Sequence, residues 1–112
     1  MEVSKHAYNR ICERVHPVHS MKEARRLATQ AYEKGYTIEQ LKPEYKHLAR
    51  YMTYKLKNES ERTEIRMYKE CLWLWNGRKK ILRTVYPIYK SIPVSMELKK
   101  MRKREKENGS HD

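Results

Sequence analysis

The chain has 112 residues, 38% of them apolar and 36% charged, with 26 Lys and Arg set against 14 Asp and Glu for a net charge of +12. That length supports one domain with a lean core and leaves no room for a second. Three glycines in all exclude a P-loop or a dinucleotide-binding loop.

The basic excess is spread along the whole chain, and a field of that kind draws polyanions at short range. Phosphate backbones are the commonest such partner, held largely through counterion release, so nucleic acid is the expected partner. Docking on an acidic protein surface is the alternative. Two isolated cysteines, Cys12 and Cys71, read as reduced thiols, and the opening MEVSKHAYNRICERV is charged throughout. No run approaches the roughly 18 apolar residues of a membrane span. The expectation is a cytoplasmic protein with no membrane partner.

Residues 4–15 are predicted to form a helix, with Ser4 as N-cap and Ala7, Ile11 and Val15 recurring every fourth position. Pro17 ends it. A second helix opens at Ser20, with Glu23 as a capping-box partner, and closes at Gly35. Its buried face is Ala24, Leu27, Ala28 and Ala31, small enough for close packing. A third helix is expected from Pro43 to Lys57, with Tyr45, Leu48, Ala49, Met52 and Leu56 on one side.

From residue 64 the period changes to two, in 64–69 (EIRMYK), 71–75 (CLWLW) and 81–86 (ILRTVY). Asn76-Gly77 between the last two suits a type I′ hairpin turn. The predicted fold is α+β: about three N-terminal helices on one face of a small antiparallel three-stranded meander. Pro87 and Pro93 end the strand region. From Met96 the chain reads as a solvated helix or a frayed basic tail, with too few apolar residues to bury. The expected domain is therefore 1–94, with a tail at 95–112 that folding does not need.

His6, Arg10 and Arg14 lie at spacing four and project from one face of the first helix. An imidazole beside two guanidiniums can hold a phosphodiester and move a proton at it. The alternative is a solvated face countered by Glu13. On the strands, Arg66, Tyr68, Arg83 and Tyr86 stand among apolar neighbours, with Arg66 and Tyr68 on a common face. Such a face can stack bases and grip phosphates, or it can be an ordinary wet sheet face. Trp73 and Trp75, alternating with Cys71, read as core. Cys12, His16 and His19 are interrupted by Pro17 and lack a fourth ligand, so no metal site is expected, and no cofactor.

The opening SKHAYNRICERV has the form Ser-Lys-His-Ala-x-x-Arg-x-x-Glu-Arg and resembles the start of a set of small proteins from phages and Gram-positive bacteria. The likeness continues through EARRLATQAYEKGYT and the strand pair IRMYKECLWLWNGRKKILRTVYPI, covering roughly residues 4–93. That group in turn looks like the RelE/BrnT-like ribonuclease-toxin fold. The resemblance implies metal-independent RNA cleavage, with His6, Arg10 and Arg14 at its signature positions and Thr84 on its terminal strand. In that case His6 is the acid/base group, Arg10, Arg14 and Arg66 hold phosphate, and Tyr68 or Tyr86 stacks or orients. The chain departs from the group in its basic third helix and its tail. The expected function is thus nucleic-acid binding, RNA favoured over DNA, with endoribonuclease activity as its enzymatic form. The rival is a phage-encoded interaction protein that blocks a host protein.

Overall fold

Cys71-Leu72-Trp73-Leu74-Trp75 offers no charged side chain to either face, so a strand built from it has to be covered twice. The computed structural model, which describes residues 1–109, covers it twice. The elements are β1 (Glu2–Val3), α1 (Lys5–Arg14), α2 (Met21–Lys34), α3 (Ile38–Leu41), α4 (Lys46–Leu56), β2 (Thr63–Tyr68), β3 (Cys71–Asn76), β4 (Ile81–Pro87) and α5 (Ile92–Gly109). They form an α+β fold around a four-stranded sheet of order β1-β4-β3-β2.

On one face Cys71, Trp73, Trp75, Leu82 and Val85 pack against Ala7 and Ile11 of α1 and the alanine stripe of α2. On the other, Ile65, Met67, Leu72 and Leu74 meet Leu41, Leu48 and Met52 of α3 and α4, together with Val94, Leu98 and Met101 of α5. The expected single helical layer is therefore two layers. The sheet is also larger than expected, because β1 joins β4 in parallel through Glu2↔Ile81 and Val3↔Leu82. The meander itself is antiparallel throughout, as its short connections require.

Caps set the helix starts. Ser4 Oγ accepts from Ala7 N at 3.0 Å, and Ser20 Oγ accepts from Glu23 N at 3.1 Å. Thr37 and Gln40 complete a capping box on the four-residue α3, an element too short for periodicity to reveal. Pro43 consequently lies between α3 and α4 rather than in a first helical turn. Gly35 ends α2 for a steric reason: a Cβ there would stand 2.4 Å from Ala31 O and 2.9 Å from Arg66 Cβ.

The left-handed turn falls elsewhere than expected. Lys69 and Glu70, joining β2 to β3, have φ of 51° and 56°, the geometry of a two-residue I′ connection. Among the described residues no glycine has positive φ, and in the β3–β4 loop the left-handed residue is Lys80, at 53°. Asn76 Oδ1 instead accepts from Arg78 N at 3.1 Å, and the β3–β4 loop runs to Lys80.

The expectation for the C-terminal segment is also corrected. α5 spans the boundary placed at residue 94, and Leu98 and Met101 are 1% and 4% exposed. Glu97 caps α4 by accepting from His47 N at 3.1 Å and Leu48 N at 2.7 Å. Arg102 pairs with Glu70, and this hydrogen bond with the Lys90 charge holds the Glu70 carboxyl below the ordinary range. Residues 110–112 of the expected tail lie outside the described residues. No helix among the described residues is long and apolar enough to cross a membrane.

Candidate nucleic-acid interface

β1 pairs only with Ile81 and Leu82, so beyond that point the outer edge of β4 has no strand beside it. α1 lies along that edge and satisfies its carbonyls. Leu82 O accepts from Ser4 N at 3.0 Å and Arg83 O from Ser4 Oγ at 3.3 Å. Val85 O accepts from Arg14 Nη1 at 2.6 Å. The helix face carrying His6, Arg10 and Arg14 is thereby fixed beside β4. His6 Nε2 stands 3.3 Å from Oγ1 of the buried Thr84, while the imidazole itself is exposed.

The opposite wall comes from α4. Lys55 Nζ lies 5.6 Å from the ring centroids of both Tyr51 and Tyr86, and Arg14 Cζ lies 5.8 Å from that of Tyr86. Tyr51 Oη accepts from Tyr89 N at 3.2 Å and ties the end of β4 to the helix. Together Arg14, Tyr51, Lys55, Tyr86, Tyr89 and Lys90 line a groove of about 550 Å³ whose lining holds no carboxylate.

Charge pairing sharpens the contrast with the rest of the surface. Among the described residues eight ion pairs form, and none involves Arg14 or Lys55. At the far edge of the sheet, Lys80 Nζ meets Glu64 Oε1 at 2.7 Å and donates to Tyr32 Oη at 2.7 Å. Burial raises the Glu64 carboxyl, but hydrogen bonds from Lys80 and Tyr32 outweigh it and leave the group below its ordinary range. That edge is neutralised; in the groove Lys90 reaches Glu70 at 3.7 Å, while Arg14 and Lys55 have no carboxylate partner.

The residues singled out from the sequence divide between these two places. His6, Arg14 and Tyr86 line up along β4 with Thr84. Arg10 stands between the first two, paired to Glu13 at 2.7 Å. Eight residues of helix separate His6 from Arg14, roughly 12 Å along the axis, so the set is a row rather than a convergent cluster. Arg83 is the extra residue where the β3–β4 register shifts, and its guanidinium meets Glu59 at 3.2 Å.

Arg66 and Tyr68 are not brought to this row. They share a face, as alternation requires, but it is the face under α2. Arg66 Cζ sits 4.6 Å over the Tyr32 ring and Arg66 Nε donates to Tyr32 O at 3.3 Å. Tyr68 meets Trp73 edge-on at 6.0 Å. Tyr68 and Tyr86 thus point to opposite faces of the sheet.

Tyr51, Lys55, Tyr89 and Lys90 escaped the sequence reading. A signal existed: residues 46–57 hold Lys46, Arg50, Lys55 and Lys57 with no Asp or Glu. Comparison with protein-family models, with curated proteins and with solved structures finds no match to this chain.

Proposed function

We propose that this protein binds RNA through the groove between α1, β4 and α4. The observation that carries the proposal is the groove lining: three tyrosines and three cations with no carboxylate among them. Cations beside a phosphate chain gain from counterion release, and tyrosines offer base-stacking surface that RNA loops and ends can use. RNA is favoured over DNA on the second ground, since unpaired bases are more common in RNA targets.

One contact supports an added chemical step. The exposed His6 imidazole, 3.3 Å from the Thr84 hydroxyl, stands in the same row as Arg10 and Arg14. In a metal-independent cleavage, His6 takes the proton from a ribose 2′-hydroxyl as that oxygen attacks the adjacent phosphorus. The bond to the 5′-oxygen breaks, and the proton passes to that leaving oxygen. Arg10 and Arg14 hold successive phosphates to one side of that step, and Tyr86 orients the chain.

The test is purified protein with a labelled structured RNA in EDTA, at low salt, across the pH range where histidine titrates. Wild type should bind, and if it cleaves, His6→Ala should keep binding and lose about 10²–10⁴ in rate. An RNA that is bound and left intact removes the nuclease step. An RNA that is not bound at low salt removes the whole reading and favours docking on an acidic protein.

A further inference from the structure

α4 has two surfaces that its apolar stripe does not use. One faces the groove through Tyr51 and Lys55. The other carries Arg50, Tyr54 and Lys57, which with Thr53 and Leu56 line a shallow depression of about 450 Å³. Tyr54 follows Tyr51 by three residues, so the two are surface neighbours about 5–6 Å apart at Cβ. Tyr51 in turn is hydrogen-bonded to the backbone of Tyr89. Tyr89, Tyr51 and Tyr54 therefore make one row that leaves the groove and continues over the outside of α4.

The two ends of that row are open. Tyr54 is 64% exposed and Tyr89 73%, although each phenol ring is large enough to be worth burying. Among the described residues no aromatic ring and no cation covers either of them. Arg50 and Lys57, beside Tyr54, belong to none of the ion pairs, as is true of Lys55 and Arg14. Unclaimed π-faces, with unpaired cations beside Tyr54 and no carboxylate between residues 45 and 58, match a strand that offers bare bases and phosphates together.

We infer that the protein selects single-stranded over double-stranded RNA, with Tyr54 and Tyr89 as the stacking platforms at the two ends of the row. This rests on the RNA-binding reading above and specifies its ligand. A duplex keeps its bases inside the stack and gives exposed phenols nothing to cover, so it engages the cations alone. A single strand engages both sets.

The experiment is fluorescence anisotropy with the full chain, using a labelled 12-nucleotide RNA without internal pairing and the same strand annealed to its complement. Single-stranded RNA should bind about tenfold more tightly than the duplex at moderate salt. Tyr54→Ala and Tyr89→Ala should each weaken single-strand binding by about tenfold, the loss of one stacked base, and leave duplex binding unchanged. Tyr54→Phe and Tyr89→Phe keep the ring and should restore it. Because both side chains are exposed, melting temperatures of all four variants should match wild type. Equal affinity for the two RNAs, or alanine variants that bind the single strand normally, would overturn the stacking inference while the phosphate contacts stand. Failure to bind either RNA at low salt would overturn the RNA reading beneath it as well.

Discussion

Arg10 and Arg14 occupy the same face of α1 one turn apart, yet their partners differ in kind. Arg14 donates to the Val85 carbonyl at 2.6 Å on an edge that has no strand beside it, whereas Arg10 makes a 2.7 Å pair with the exposed Glu13. Removing Arg14 strands a partly buried acceptor, a loss of about 1–3 kcal/mol. Removing Arg10 breaks a surface pair worth about 0–1 kcal/mol. Arg14→Ala should therefore lower both the urea midpoint and RNA affinity, and Arg10→Ala should lower RNA affinity with little change in midpoint. Equal midpoints for the two variants would show that the Val85 contact is not what fixes α1. The row of His6, Arg10 and Arg14 could be read from spacing alone, because i, i+4 places side chains on one face whatever surrounds the helix. The duty of Arg14 could not, since it depends on β1 stopping opposite Leu82, a pairing between segments far apart in the chain.

Elements show the same division between what is local and what is not. α1, α2 and the three-stranded meander announce themselves through caps and periodicity over ten residues or so. α3 has four residues and β1 two, too few for any period. α5 was missed as a core element for another reason. Its apolar content is low, but Val94, Leu98 and Met101 recur at i, i+4 and i+7, and that spacing matters more than the fraction. The uninterrupted apolar run of β3 carried the matching signal, since a strand with one wet face would have alternated polar and apolar residues. A chain ending at Ser95 should accordingly fail to fold. It loses the burial of Leu98 and Met101, about 1.5–3 kcal/mol each, as well as the Glu97 cap on α4 and the Arg102–Glu70 pair. Those losses are a large share of the roughly 5–15 kcal/mol by which a domain is stable. Circular dichroism of the shortened chain should show no cooperative melt, and a transition within a few degrees of full length would mean that α5 is not needed to cover the sheet.

At the scale of the whole molecule, a charge of +12 is necessary for the proposed function but does not locate it. Location comes from pairing. Arg10, Arg25, Lys42, Lys80, Arg83, Lys90, Arg102 and Arg104 are matched to carboxylates, while Arg14, Arg50, Lys55 and Lys57 are not. The sequence showed the excess and even the acid-free stretch 46–57, but not which cations the fold would neutralise. That distinction has a direct readout in salt dependence, because each phosphate neutralised on a single strand contributes about −0.7 to the slope of log K against log salt concentration. Four such contacts predict a slope of about −3 for a single-stranded RNA. Replacing Lys55 and Lys57 together by alanine should reduce its magnitude by about 1.4, and replacing the paired Lys42 and Lys80 should leave it nearly unchanged. A slope that is insensitive to Lys55 and Lys57, or that falls equally with Lys42 and Lys80, would contradict the placement of RNA on the α1–β4–α4 surface.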